Sequence, residues 1–339
     1  MEDTSLLDAL RERAKADPQR VAFAEADDDT MMDAVGVVAA EGVATCVLVG
    51  HADELRAKAR ERGVDESLLE FVDLDDEAAN DDLVARFSAL PTCIYSEKAI
   101  RRRLKKPLEH SLIMEAVGDV DITFAGISSS TGDVILGAQM LIGLADGIDT
   151  PSSVGIFEIP GWEGSEGNML GFGDSAVCQD PTPEQLASIA ISACDTVAAL
   201  TGWEPRCALL SFSTCGSGDG PLVEKVVKAR EIANERRPDL AIDGEFQLDS
   251  AVSERTASRK VKRESAVAGR ANIVIWPDLN VGNIGVKLVQ QFAHADAYGP
   301  MLQGFRKIVC DCSRSAGVSE IEGNVVMSCV RAQALKAGE

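Results

Sequence analysis

The sequence has few of the features that mark membrane, secreted or nucleic-acid-binding proteins. No run of about 18 consecutive apolar residues occurs, so we expect no membrane-spanning helix and no membrane partner. The acidic start Met1-Glu2-Asp3-Thr4 stands where a secretory signal would be basic and then apolar, so we expect a cytoplasmic protein. Lys and Arg number 33 against 55 Asp and Glu, which gives a net charge of −22. Because phosphate backbones require a positive surface, nucleic acid is not an expected partner.

Side chains that bind metals are also scarce or badly spaced. The three histidines, His51, His110 and His294, do not lie at the spacing of metal ligands. Nine cysteines are an odd number, and only Cys310 and Cys312 are close in sequence. Both would face one side of a strand and so could share a metal, but free thiols in a reducing compartment are the favoured interpretation. We therefore predict no metal site.

The composition that remains is that of a globular protein of more than one domain. Hydrophobic residues make up 45% of the chain and charged residues 26%, over 339 residues. Strand and helix patterns alternate, which indicates parallel strands joined by helices. Within this alternation, residues 161–173 are predicted to form a glycine-rich loop and residues 175–178 a short strand, and Thr182 with Gln185 predicts a capping box at the start of a helix. We predict two α/β/α domains with mainly parallel sheets and a cleft between them. Residues 1–147 plus 291–339 are predicted to form the first domain, which is discontinuous, and residues 148–290 the second.

Four predicted strand-to-helix junctions are rich in small, hydroxylated or glycine residues: residues 126–133, 214–221, 277–285 and 311–320. Backbone N–H groups and hydroxyls at the start of a helix suit a phosphate or a carbonyl oxygen. No junction has the Walker lysine or the dinucleotide glycine spacing. A single junction of this kind would indicate only a capped helix, but four together favour one ligand-binding cleft.

The junction at 311–320 combines three chemical groups. Ser313, Arg314 and Glu320 place a hydroxyl, a guanidinium and a carboxylate within ten residues, directly after an apolar strand. The guanidinium is always charged and its fork of donors suits a planar oxyanion or a phosphate, whereas Glu320 is a candidate general base. The alternative is a surface turn with a helix start and an ion pair.

A basic cluster stands out in this acidic chain. Six cations occupy nine positions: Lys98, Arg101, Arg102, Arg103, Lys105 and Lys106. The cluster is either a solvated helix end, where the helix dipole favours cations, or a binding site for a polyanionic small molecule.

Several collinear motifs resemble those of the phosphate acetyltransferase family, which includes phosphate butyryltransferases. They are DPTPEQL at 180–186, LSFSTCGSG at 210–218, RPDLAIDGE at 237–245, PDLNVGNIG at 277–285, GPMLQG at 299–304 and DCSR at 311–314. The resemblance implies two α/β domains and reversible acyl transfer between coenzyme A and inorganic phosphate. It also implies a homodimer and no permanently bound cofactor, with coenzyme A, acyl-CoA, acyl phosphate and phosphate as binding partners.

The resemblance also implies roles for individual residues. Ser313 and Arg314 match a serine–arginine pair tied to substrate binding and charge stabilisation, and Glu320 stands where the family has a catalytic aspartate. Ser130 and Thr131 match a hydroxyl pair near the phosphoryl group. The predicted substrate-binding residues are Ser130, Thr131, Ser213, Thr214, Asn283 and Lys287, with Lys287 in the first turn of its helix, and the predicted catalytic residues are Ser313, Arg314 and Glu320.

Three departures from the family pattern bear on the acyl group and on activity. Leu136 replaces an arginine, Val286 replaces a tyrosine, and Glu320 replaces the aspartate. Acetyl transfer is the default prediction, and transfer of propionyl or butyryl groups through a wider pocket stays open. A catalytically degenerate homologue that binds coenzyme A or acyl phosphate to regulate a partner is the second hypothesis. A dehydrogenase-like reaction is the third, and the missing glycine pattern opposes it.

Overall fold

A computed structural model describes residues 5–338, with elements numbered here in chain order. They are α1 (Leu6–Ala16), β1 (Gln19–Phe23), α2 (Asp29–Glu41), β2 (Ala44–Gly50), α3 (Ala52–Arg62), β3 (Leu69–Asp73), α4 (Glu77–Ser88), α5 (Glu97–Arg103), α6 (Pro107–Val117), β4 (Ile122–Ala125), α7 (Thr131–Leu141), β5 (Ser152–Glu158), β6 (Met169–Gly173), α8 (Pro183–Thr201), β7 (Arg206–Leu210), α9 (Pro221–Arg236), β8 (Ala241–Phe246), α10 (Leu248–Val252), α11 (Glu254–Lys260), β9 (Ile273–Ile275), α12 (Leu279–Ala293), β10 (Asp296–Gln303), β11 (Ile308–Asp311) and α13 (Val318–Gly338). A 3-10 helix, Glu66–Leu68, precedes β3.

The chain forms two compact units. Of the described residues, the first unit contains 5–143 and 305–338, and the second is Leu144–Gly304. Residues 291–304, predicted in the first domain, lie in the second unit instead. The physical reason is that β10 pairs antiparallel with β5 and so becomes part of the second sheet.

The first unit is built on a five-stranded parallel sheet in the order β11-β4-β1-β2-β3. Three consecutive residues of β1, Val21, Ala22 and Phe23, are fully buried. Because successive strand residues point to opposite faces, both faces of this sheet are covered, as parallel sheets require. Helix α13 contacts β11, β4, β1 and β2 with α1 and α2 beside it, whereas α6 contacts β4 and β2 beside α4 and α7.

The second unit contains a six-stranded mixed sheet in the order β10-β5-β6-β9-β7-β8. Strand β5 is antiparallel to both of its neighbours, and the other pairs are parallel. The rings of Phe157, Phe172 and Trp276 pack in succession, with centroids 4.7 and 5.3 Å apart, at the centre of its core. The predicted fold class, α/β with mainly parallel strands, is confirmed.

One strand of the second unit differs from the sequence prediction. Residues 169–173, predicted as part of a glycine-rich loop, form β6, whereas the predicted strand at 175–178 is a loop. The carboxylate of Asp174 accepts hydrogen bonds from the N–H groups of Ala176, Val177 and Cys178. Those N–H groups are therefore unavailable to a strand ladder, and the backbone turns around the carboxylate.

None of the helices between residues 5 and 338 combines the length and the apolar character needed to cross a bilayer.

Candidate active site

Three loops of the first unit meet at the carboxyl edge of its parallel sheet. Strands β11, β4 and β1 are direct neighbours, and they end at Asp311, Ala125 and Phe23. Parallel strands bring their carboxyl ends to one edge, which is where α/β proteins bind ligands. The loops that leave this edge carry four of the predicted site residues, Ser130, Thr131, Ser313 and Arg314.

Glu25, in the loop after β1, fastens the loop after β4. Its carboxylate accepts hydrogen bonds from the N–H groups of Gly126 and Ser128, both at 2.9 Å, and of Ser129 at 2.8 Å. Glu25 itself is buried. The N–H groups of this loop were predicted to suit a phosphate or a carbonyl oxygen, but the carboxylate of Glu25 accepts from these three. Glu25 was not predicted; its signal in the sequence is an acidic residue two positions after the end of a buried strand.

Helix α7 begins with the predicted hydroxyl pair, and both hydroxyl protons are donated to carboxylates. Ser130 is the N-cap residue: its Oγ accepts from the N–H of Asp133 and donates to Asp133 Oδ2 at 2.6 Å. Thr131 Oγ1 donates to Asp311 Oδ2 at 2.7 Å. These bonds explain how the sequence Ser-Thr-Gly-Asp starts a helix at this point and links it to the end of β11.

Asp311 was not among the predicted site residues, and its environment is unusual for a carboxyl group. Burial, together with the negative charge of Glu25, raises its pKa from 3.8 to about 6 against the opposing hydrogen bond from Thr131. Its second oxygen, Oδ1, is buried without a hydrogen-bond partner. A Cβ at Gly126, where φ is +113°, would lie 2.3 Å from that oxygen, so only glycine permits this close approach.

Ser313 and Arg314 lie in the exposed loop after β11. The Oγ atoms of Ser313 and Ser315 are 3.0 Å apart, and the N–H of Ser315 bonds to Ser313 Oγ. The hydrogen bonds from Ser130 lower the pKa of Asp133, and the nearby positive charges of Arg314 and Lys106 lower it further. Arg314 therefore lies near the start of α7.

Glu320 is exposed in the first turn of α13, and its N–H bonds to the carbonyl of Gly317 at 3.1 Å. Burial is the largest cause of the raised pKa of the Cys312 thiol, and the negative charge of Glu320 is one of several charges that raise it further. Glu320 is thus close to Cys312 and accessible to solvent. The buried Cys312 stays protonated and is no nucleophile.

A cavity of about 430 Å³ opens in the first unit beside this edge. Its lining includes Ser128 and Ser129, the cations Arg103 and Lys106, and Leu136, the residue that replaces the family's arginine. The basic cluster is therefore split between two cavities. The second cavity, of about 460 Å³, is lined by Lys98, Arg101, Arg102 and Lys105. Arg101 is paired with Asp81 and Lys106 with Glu109, whereas the guanidinium of Arg103 stacks on Tyr95.

Ser213 and Thr214 lie in the second unit and are buried. Ser213 Oγ donates to Glu245 at 2.9 Å and accepts from the N–H of Gly218. Thr214 Oγ1 accepts from the N–H of Gln247 and lies 3.2 Å from Ser250 Oγ. Both hydroxyl groups are therefore engaged in hydrogen bonds within the protein.

Asn283 and Lys287 lie on α12, and the prediction for Lys287 needs one correction. Asp278 caps the helix, accepting from the N–H of Val281, so α12 starts at Leu279 and Lys287 is in its third turn. Lys287 was predicted in the first turn because residues 277–285 were interpreted as a loop, whereas Asp278 already caps the helix. Asn283 and Lys287 are four residues apart, which makes them neighbours on the exposed helix surface.

Among residues 5–338, one set of side chains, His51, Asp73 and Asp75, brings its ligand atoms within 4.8 Å of one another. It lies at the ends of β2 and β3, and His51 Nδ1 is 3.1 Å from Asp75 Oδ2. Cys310 and Cys312 are buried free thiols, as are four of the other seven cysteines.

Known proteins share this architecture and sequence over nearly its whole length. The family model described as phosphate acetyl/butaryl transferase matches residues 5–329. A phosphate acetyltransferase of Clostridium acetobutylicum is 38% identical over 333 residues, covering 97% of this chain and 98% of that protein. That of Thermoanaerobacterium thermosaccharolyticum is 38% identical over 331 residues, covering 97% and 100%. A phosphotransacetylase structure from Streptococcus pyogenes has a TM-score of 0.89 at 32% identity, covering 99% and 100%. The chain therefore belongs to the phosphate acetyl/butyryl transferase family, and it is an acyltransferase.

Proposed function

We propose that the chain transfers an acyl group, acetyl by default, reversibly between coenzyme A and inorganic phosphate. The observation that carries the proposal is the meeting of Ser130, Thr131, Ser313 and Arg314 at one sheet edge, beside a cavity that contains Lys106. Positive charge and hydroxyl groups in one place suit the phosphoryl group of an acyl phosphate. The test is the release of acyl-CoA from acyl phosphate and coenzyme A by the purified protein.

In the proposed reaction Glu320 takes the proton of the coenzyme A thiol. The thiolate then attacks the carbonyl carbon of the acyl phosphate, so a carbon–sulfur bond forms. The carbon–oxygen bond to phosphate breaks, and phosphate leaves with that electron pair. Arg314 stabilises the charge that develops on the oxygens, with Ser313 as a hydroxyl donor. Glu320 is exposed and accessible to a thiol, which supports its role as the base.

Asn283 and Lys287 are also proposed to contact the substrate. Both side chains are exposed on one surface of α12, and Lys287 is the only charged residue of that helix. A single cation on a neutral helix suits an anionic oxygen. Ser213 and Thr214 are proposed as supports of the loop that precedes α9, because their hydroxyls are occupied within it.

The phosphates of coenzyme A are proposed to meet the basic cluster. Arg103 and Lys106 line the cavity in which Leu136 is exposed. Two cations there offset the arginine that the family has at the position of Leu136. Coenzyme A is a substrate in this scheme, and the reaction as proposed uses no permanently bound cofactor.

The acyl group is proposed to be acetyl, and propionyl or butyryl is the alternative. Val286 stands in the place of the family's tyrosine and is buried, so it packs in the core of its unit. A smaller side chain leaves more room for an acyl chain. Relative kcat/KM values for acetyl, propionyl and butyryl phosphate decide between these alternatives.

The regulatory alternative is a homologue that binds coenzyme A without turnover. The reason for this alternative is that Leu136 is exposed at a position where the family has a cation. Thermal stabilisation by coenzyme A in protein that forms no acyl-CoA from any acyl phosphate would favour it.

A homodimer is proposed, with α12 as its contact surface. Val281, Ile284, Leu288 and Phe292 recur at helical spacing on α12 and are 42%, 59%, 49% and 81% exposed. The molecule's net charge of −22 opposes contact between two copies, but this helix face carries no acidic residue. A second copy is therefore the occupant that the face suits best.

A cytoplasmic location is also proposed. All nine cysteines are free thiols, which supports a reducing compartment.

A further inference from the structure

The hydroxyl groups of Ser130 and Thr131, at the start of α7, donate their hydrogen bonds to two different carboxylates. Ser130 donates to Asp133, whose pKa is lowered by that bond, so Asp133 stays ionised near neutral pH. Thr131 donates to Asp311, whose pKa is raised to about 6, chiefly by burial. Of the two, only the partner of Thr131 changes its protonation in the physiological range.

The protonation of Asp311 decides what Thr131 can offer to a ligand. While Asp311 is ionised, it accepts the only hydroxyl proton of Thr131, and the exposed side of Thr131 Oγ1 presents lone pairs that repel an anion. Once Asp311 carries a proton, its own O–H donates to Thr131 Oγ1. The Thr131 hydroxyl is then free to turn outward and donate to an anionic oxygen.

We propose that Asp311 is a positioning residue whose proton releases the Thr131 hydroxyl to bind a phosphoryl oxygen of the substrate. The proposal rests on the proposed function only in naming the phosphoryl group as the anion. Binding in this scheme takes up one proton, because an anion next to Thr131 favours the protonated form of Asp311. No bond of the substrate is made or broken in this step.

The groups that face Asp311 come from every loop at this edge. Glu25 approaches from the loop after β1, Thr131 from α7, and the Cys310 and Cys312 thiols flank it in sequence. The thiols stay protonated since burial raises their pKa values. Asp311 is consequently the group at this contact that titrates near pH 6. Oδ1, buried and unpartnered, is the oxygen left without a donor when Asp311 is ionised.

The test compares wild type with Asp311→Asn and Thr131→Val in the KM for acetyl phosphate at about pH 6 and about pH 8. The amide of Asp311→Asn donates to Thr131 at every pH, so Thr131 stays free. Wild type should lose about tenfold in apparent affinity over this range relative to Asp311→Asn, the loss of one hydrogen bond to a charged group. Thr131→Val should bind weakly at both pH values. Asp133→Asn, which replaces a carboxylate that does not titrate here, is the matched control and should keep the wild-type pH dependence.

A binding measurement without turnover separates this proposal from the proposed function. Sulfate keeps its double charge over the same pH range, so its stabilisation of the protein, measured as the Tm shift at equal concentration, serves as the probe. The shift should fall from about pH 6 to about pH 8 in wild type but not in Asp311→Asn or Thr131→Val. Equal pH dependence in wild type and Thr131→Val, or in wild type and Asp311→Asn, would overturn the role of Asp311. Protein that shows the expected sulfate pattern yet forms no acyl-CoA contradicts only the proposed function.

Discussion

At the scale of single residues, the chemistry of the sheet edge depends on partners that are remote in sequence. Thr131 and Asp311 are 180 residues apart, and Glu25 is separated by 101 to 104 residues from the N–H groups that it accepts from. The predicted site residues Ser130, Thr131, Ser313 and Arg314 each lie in a compact local pattern that a sequence motif can indicate. Glu25 and Asp311 were not predicted, because their contacts arise from the pairing of β1, β4 and β11.

The first residue-scale prediction concerns the proposed base. Glu320→Gln keeps the size of the side chain but removes its basicity, so kcat should fall by about 100-fold or more. Glu320→Asp restores the residue that the family has at this position and should retain activity within about tenfold. Measurement of kcat at saturating coenzyme A checks both. A Glu320→Gln enzyme with wild-type kcat would assign the base to another group.

The second residue-scale prediction concerns how the effect of Asp311→Asn on stability depends on pH. A carboxyl whose pKa is raised in the folded state stabilises the fold below its unfolded pKa, 3.8, and this contribution is lost as pH rises through about 6. Asp311→Asn cannot ionise, so its unfolding free energy relative to wild type should rise by about 1–3 kcal/mol between about pH 4 and about pH 7. Urea unfolding at both pH values measures the difference. Asp133→Asn should show little change over this pH window, because the pKa of Asp133 is lowered and its contribution is lost only as pH falls below about 3.8.

At the scale of elements, local sequence signals predicted the start of α8 correctly but not that of α12. The predicted capping box of α8 is present: the Thr182 side chain accepts from the N–H of Gln185, and Gln185 bonds back to Thr182. The start of α12 and the loop at 175–178 were mispredicted. In both, an aspartate, Asp278 or Asp174, organises the backbone through hydrogen bonds that residue propensities do not reveal.

The element-scale prediction concerns the loop that joins β4 to α7. Glu25→Gln removes the negative charge that three N–H groups share, so the unfolding free energy should fall by about 2–4 kcal/mol. Chemical unfolding measures this loss. The exposed neighbour Asp27 gives the control, since Asp27→Asn should change stability by less than about 0.5 kcal/mol. Equal effects of the two substitutions would mean that the loop does not depend on Glu25.

At the scale of the whole molecule, composition constrained the protein's class and the family resemblance supplied its activity. The alternation of strands and helices predicted the fold class correctly, but it could not place β10. Residues 291–304 were expected in the first domain, and their antiparallel pairing with β5 depends on contacts across more than a hundred residues.

The whole-molecule prediction is self-association through α12. Phe292→Asp places a charge on the most exposed of its four apolar residues and should raise the dimer dissociation constant by about tenfold or more. Light scattering during size-exclusion chromatography checks it. Leu335→Asp, on an apolar residue of α13 that is 36% exposed, serves as the control and should leave the mass unchanged. A wild-type protein that is monomeric at high concentration would contradict the homodimer.

The most direct test of the proposed function is acyl-CoA formation from coenzyme A and a panel of acetyl, propionyl and butyryl phosphate, in wild type and Arg314→Ala. The proposed mechanism predicts turnover of at least one acyl phosphate by wild type, and a loss of several orders of magnitude in kcat/KM on removing the guanidinium. A decrease of less than about tenfold, equivalent to about 1.4 kcal/mol, would remove Arg314 from the site. Folded wild-type protein that turns over no member of the panel would contradict the reaction itself.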